Sequence, residues 1–187
     1  VWRKDEIGGN AMSRISQFST PSPVLAVVRK PAAGTPEISR GLYLALDSVR
    51  DPGNMGTIIR IADWFGVRTL FVSPDCVEVW NPKVIQSSMG SIFRVSTVAA
   101  DLPDTCRRFK ELGMKVYGTF LDGNDMYHVG LEKDGLIVMG NESNGVRMEV
   151  ESEVSDRLFI PSYQDCGAES LNVAVAAAVT LAEFRRR

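Results

Sequence analysis

Short apolar runs alternate with helix-patterned segments along most of this chain. The runs are "LYLALD" (42–47), "RTLFVS" (68–73), "KVYGTF" (115–120), "LIVMG" (136–140) and "DRLFIP" (156–161). None shows the strict apolar–polar alternation of a half-exposed strand, so both faces of each are expected to be covered. The segments between them carry helix signals: about 55–65, 81–90 with Pro82 in the first turn, 101–113 stopped by Gly113, and 170–187. Strand–helix alternation of this kind predicts an α/β fold with a mainly parallel sheet flanked by helices. Ahead of it, residues 1–23 are polar and irregular, "VLAVV" (24–28) reads as a short β run, and 29–39 has the Pro, Gly and Ala content of a linker.

The 187 residues are enough for one sizeable core. No apolar run approaches the roughly 18–20 residues of a membrane span. The first residues, "VWRKDEIGGN", do not start with Met, and the expectation is a piece of a longer protein or a processed form. The net charge of −2 does not mark a nucleic-acid binder by itself, although three arginines close the chain. Cys76, Cys106 and Cys166 are odd in number and far apart, which is neither a disulfide framework nor a metal spacing. A reducing cytoplasm is expected. His128 is the single histidine and supports no histidine-based site.

In a parallel sheet, ligands collect where strands end and loops lead into helices. Three such corners carry chemistry. The first follows Asp47: in "RDPGNMGTIIRIADWFGV" (50–67), Asn54 is suited to cap the helix, and Ile58, Ile61, Ala62 and Phe65 form the apolar stripe. Arg60 points away from that stripe, with Gly56 one turn earlier leaving room beside the guanidinium. Alone, Arg60 reads equally as a solvated cation on an amphipathic helix. The second corner is "LIVMGNESNGV" (136–146), where Glu142 either pairs with Arg60 or caps the next helix. In the third, "FIPSYQDCGAESLNVAVAAAV" (159–179), Ser170 is suited to cap a helix apolar nearly all round, and Asn172 sits in its first turn. The free N–H groups at the start of that helix form an anion site. Neither a Rossmann glycine fingerprint nor a P-loop is present.

Taken in this order, the three corners resemble the motifs of the SpoU (TrmH-like) RNA ribose 2′-O-methyltransferases of the SPOUT superfamily. Asn54, Gly56 and Arg60 match N-x-G-x-x-x-R. Gly140, Asn141, Glu142 and Gly145 match G-[NS]-E-x-x-G. Ile160, Pro161, Ser170, Leu171, Asn172, Val173, Val175 and Ala176 match I-P followed by S-L-N-V-x-V-A. The connection from Ile160 to Leu171 is about two residues longer than the family pattern. The resemblance covers about residues 40–187, and 1–39 resemble the tail of an upstream RNA-binding domain plus a linker.

The resemblance implies a deep C-terminal trefoil knot and an obligate homodimer. It also implies S-adenosylmethionine as methyl donor, with no metal, held by Thr119, Gly140, Ile160 and Leu171. The expected substrate is RNA, ribosomal in preference to transfer RNA. Arg60, Asn54, Glu142, Ser170 and Asn172 are the implied catalytic set: Arg60 on the phosphate and the developing alkoxide, Glu142 holding its guanidinium, the others orienting ribose and phosphate. A guanidinium in a protein stays protonated, so Arg60 is not read as the base. The competing readings are a catalytically inactive RNA-binding paralogue of the same fold and a nucleotide-binding oxidoreductase. The latter lacks its glycine-rich phosphate loop here.

Overall fold

The structure is a computed structural model in which residues 4–16, 19–30, 34, 36–162, 167 and 169–186 are described. The chain divides into two compact units, residues 1–33 and 34–187. In the first, α1 (Gly9–Ile15) buries none of its residues. The strand expected at 24–28 does not form, and Val24 and Val27 are 74% and 89% exposed. An apolar run becomes a strand only where a neighbour takes its backbone N–H and C=O groups.

The second unit runs β1 (Leu42–Leu46), α2 (Pro52–Trp64), β2 (Thr69–Val72), α3 (Pro82–Ser87), a 3-10 turn (Ser91–Phe93), β3 (Ser96–Ala99), α4 (Leu102–Glu111), β4 (Val116–Asp125), β5 (Gly135–Met139), α5 (Met148–Glu151), β6 (Asp156–Phe159) and α6 (Val173–Arg186). The six strands form one sheet in the order β3-β2-β1-β5-β4-β6, and every pair is parallel. Each strand expected in this unit is present. The structure adds the edge strand β3 and the single-turn α5, both too short and polar to stand out in the sequence.

Continuous apolar runs serve a two-faced sheet because successive side chains point to opposite sides. Leu42, Leu44 and Leu46 join one core with α2, α3 and α6, while Tyr43 and Ala45 join another with α4 and α5. In the first core, Tyr117 of β4 meets Phe184 of α6 edge to face, with ring centres 4.9 Å apart.

The starts of α2, α3 and α4 share one device. Asp51 accepts from Asn54 N at 2.7 Å, Asn81 from Lys83 N at 2.9 Å and Asp101 from Asp104 N at 2.9 Å, each with a proline in the first two helical positions. A short acceptor side chain satisfies a free backbone N–H, and proline has none to lose. This corrects the expected start of α2. The helix begins at Pro52, Asp51 is its cap, and the side chain of Asn54 is left for other work.

Candidate active site

All strands run the same way, so β1, β5 and β6 end on one edge of the sheet. There the structure holds a cavity of about 450 Å³, the size range of small-molecule sites. Thr119, Gly140, Ile160 and Leu171 all line it, as do Glu142 and Ser170. Its other walls include Leu121, Met139, Phe159 and Ala176. Two carboxylates, Glu142 and Glu169, reach it, and among the described residues no lysine or arginine does. Most of the long connection singled out in the sequence, residues 163–166 and 168, lies outside the described residues.

Beside the cavity, the three corners are tied together. Asn54 Nδ2 donates to Glu142 Oε1. Asn172 Nδ2 donates to Asn54 Oδ1 at 3.0 Å. The Asn172 oxygen accepts from the N–H groups of Ala174 (2.9 Å) and Val175 (3.3 Å). Asn172 is therefore the cap of α6, which begins at Val173 rather than at 170. Ser170, expected as the cap, instead lines the cavity. The anion site expected at this helix start is partly filled, because the Asn172 side chain takes two of its N–H donors.

Two further expectations are corrected. Glu142 does not pair with Arg60. It is bound to Asn54, while Arg60 is exposed and makes no hydrogen bond or ion pair with the described residues. Gly56 does not open space beside Arg60. It is buried, and a Cβ there would lie 1.9 Å from Ser87 Oγ and 2.6 Å from the Val84 carbonyl oxygen. Its role is the close approach of α3 to α2. The buried stripe of α2 accordingly runs through Met55, Gly56, Ile58, Ile59 and Ala62, rotated from the expected one.

The sequence reading missed what fixes the second corner. Asp47 is fully buried at the end of β1. Its carboxylate accepts from Arg147 N (2.8 Å) and Nε (2.7 Å), with Arg147 Nη2 also 2.7 Å away. Hydrogen bonding to Asp47 raises the Arg147 pKa further. Asn141 Nδ2 donates to the Ser48 carbonyl at 2.9 Å, and Asn141 and Gly145 exchange backbone hydrogen bonds. Gly140 permits this fold-back, since a Cβ on it would meet the Gly145 carbonyl carbon at 2.2 Å. The loop carrying Glu142 is thus held at both ends by the β1 corner. Asp75 completes the network through Ser48 and Ser73. Burial pushes its carboxyl up, but those two hydroxyl donors and the Arg147 charge outweigh it and hold the pKa at about 2. The one available signal was the polar Asp47-Ser48 pair ending an otherwise apolar strand.

His128 pairs with Asp125 at 2.7 Å and lines no part of the cavity. Among the described residues, no group of three or more His, Cys, Asp or Glu side chains is arranged to hold a metal ion.

Comparison with known proteins extends this picture. The profile of the SpoU rRNA Methylase family matches residues 41–182. The 23S rRNA (guanosine(2553)-2′-O)-methyltransferase RlmP of Bacillus subtilis is 33% identical over 94% of this chain and 70% of its own length. A TrmH-family RNA methyltransferase structure from Porphyromonas gingivalis superposes with a TM-score of 0.87 at 43% identity, over 94% of this chain and 70% of that one. The SpoU methyltransferase AviRb of Streptomyces viridochromogenes, solved with AdoMet, superposes at 0.84 with 29% identity, over 96% of this chain and 71% of that one. Other curated relatives are spanned over as little as 46% of their length. With a profile match over most of its length and three motif corners folded onto one edge of a parallel sheet, the chain belongs to the SpoU rRNA methylase family.

Proposed function

We propose that this chain binds S-adenosylmethionine in the cavity and methylates a ribose 2′-hydroxyl of RNA, ribosomal in preference to transfer RNA. The observation that carries this reading is the junction of the two parts. One cavity is lined by Thr119, Gly140, Ile160 and Leu171, and at its rim Asn54 joins Glu142 to Asn172. The lining fits the cofactor's chemistry. Apolar walls and two carboxylates without a basic side chain suit a cationic, unphosphorylated ligand and disfavour a dinucleotide.

When bound, S-adenosylmethionine supplies an electrophilic methyl group on a sulfonium. The residues of the chain do the rest. Asn54 is held on both its amide oxygen and nitrogen, so its orientation is set before substrate arrives. Glu142 keeps Oε2 free of hydrogen bonds among the described residues, as an acceptor for the ribose hydroxyl. Arg60 remains protonated and takes the adjacent phosphate, stabilising negative charge as it builds on the 2′-oxygen. The hydroxyl proton leaves to phosphate or water.

We also infer a homodimer, supported by a stripe of α6, Val175, Ala178, Val179 and Ala182, that stays partly open to solvent while Ala174, Ala177, Leu181 and Phe184 are buried. The knotted path implied by the motifs belongs to the same reading. It is supported by α6, which follows the edge strand β6 yet packs against α2. Residues 1–39 are read as the tail of an RNA-binding domain and its linker, and the free Cys76 and Cys106 fit a reducing cytoplasm. The described residues form no helix long and apolar enough to cross a membrane.

Calorimetric titration with S-adenosylmethionine in excess chelator tests the reading. Saturable binding to one site per chain is expected. Absence of heat at millimolar ligand would sink it.

A further inference from the structure

Gly56, Arg60 and Asp63 lie on one face of α2, at spacings of four and three residues. Gly56 meets Ser87 of α3, and Asp63 accepts from Ser91 Oγ (2.9 Å) and Arg94 Nε (2.8 Å) in and beside the 3-10 turn. Arg60 lies between them on the helix, and its side chain is exposed. Two large apolar side chains in and beside the 3-10 turn remain in solvent: Met89 is 69% and Phe93 64% exposed. The Phe93 ring is backed by Trp80, with centres 6.5 Å apart and planes tilted by 42°.

The charge here is opposite in sign to that of the chain. Across 52–95 the cations Arg60, Arg68, Lys83 and Arg94 outnumber the carboxylates Asp63, Asp75 and Glu78, of which Glu78 accepts from Trp80 N at 3.2 Å, whereas the whole chain carries −2. Arg94 is committed to Asp63. Lys83 and Arg60 are exposed and make no ion pair with the described residues. Exposed aromatic surface interleaved with uncommitted cations is the chemistry of single-stranded nucleic acid: every base offers a face to stack and every linkage a phosphate to pair.

We propose that Phe93, backed by Trp80 and flanked by Met89, is a stacking platform for an unpaired RNA base flanking the methylated ribose, with Lys83 and Arg60 on the phosphates to either side. The proposal rests on the RNA reading above and adds to it a residue that none of the three motifs contains.

Anisotropy of a fluorescein-labelled oligoadenylate tests it, with inorganic polyphosphate as a charged probe that has no bases. Phe93→Ala should weaken oligoadenylate binding about tenfold or more, the effect of losing one stacked base. It should change polyphosphate binding less than about twofold, and Phe93→Tyr should restore the loss. Lys83→Ala should weaken both probes. A melting transition at the wild-type position and unchanged S-adenosylmethionine heat show that fold and cofactor site are intact in Phe93→Ala. The platform is overturned if both probes weaken together, if neither does, or if Phe93→Ala instead splits a sedimenting dimer into single chains. Oligoadenylate binding retained by Phe93→Ala alongside intact cofactor heat marks a failed platform, whereas absence of cofactor heat in the wild type marks a failed methyltransferase reading.

Discussion

Asn172 Nδ2 donates a 3.0 Å hydrogen bond to Asn54 Oδ1, joining residues 118 positions apart, and Asn54 passes the link on to Glu142. Three corners that look independent in the sequence are one hydrogen-bonded unit. Residues acting as a unit respond non-additively. Asn54→Ala and Asn172→Ala are each expected to lower single-turnover methyl transfer by about a hundredfold, and the double variant by little more. Asn172→Ala alone also removes the cap of α6, at about 1 kcal/mol of stability. Fully additive rate losses in the double-mutant cycle would break the unit into separate contributions.

Arg60 has no partner to lose within the described residues. Arg60→Ala is therefore expected to change stability by no more than about 0.5 kcal/mol and to leave cofactor affinity in place. Methyl transfer to a substrate RNA should fall by roughly a hundredfold, as when one preorganised charge is withdrawn. Arg60→Lys should recover little, because an ammonium lacks the two-pronged grip on phosphate. Near wild-type transfer by the alanine variant in a single turnover would make Arg60 a surface cation.

Gly56 separates a packing role from a catalytic one. Gly56→Ala gains helix propensity, yet its new Cβ would overlap Ser87 Oγ and approach the Val84 carbonyl. Backbone cannot yield as a side chain can, so the overpacking term wins, at about 1–3 kcal/mol. Adding Ser87→Ala should recover only part of the loss, since the Val84 oxygen remains 2.6 Å away. Thermal melts of both variants check this.

The open stripe of α6 predicts an association that charge can break. Val175→Arg should leave a folded chain, because Val175 is 49% exposed. It should reduce the sedimenting mass from twice the 20.5 kDa of one chain to that of one. A variant that still sediments as a pair would move the interface elsewhere.

Asp75 gives the fold an acid-sensitive element. Its folded pKa of about 2 lies below the ordinary 3.8, so its contribution is fully present above about pH 4 and is lost as pH falls through 2. Its side chain is about a third exposed, so solvent screening trims the contribution to about 1 kcal/mol. Asp75→Asn should be less stable than wild type at pH 6 and should approach it near pH 2. Equal slopes of urea midpoint against pH for the two proteins would contradict this.

The sequence by itself determined the layer architecture, since apolar runs and capped helices are local signals, each readable within about ten residues. The family motifs point to Gly140, Ile160 and Leu171, and the end of "KVYGTF" to Thr119; the fold gathers all four around one cavity. The sequence did not determine which of several polar residues would cap each helix. Asp51 displaced Asn54 and Asn172 displaced Ser170, because the rejected candidates lie where tertiary partners or the cavity claim them. Tertiary structure alone decided that Gly56 serves α3, that Glu142 binds Asn54 rather than Arg60, and that Asp47 anchors Arg147 across 100 residues. Each of these is a contact between elements distant in the chain, set by the order in which parallel strands pair. Neither hydrophobic period nor capping preference encodes that order locally.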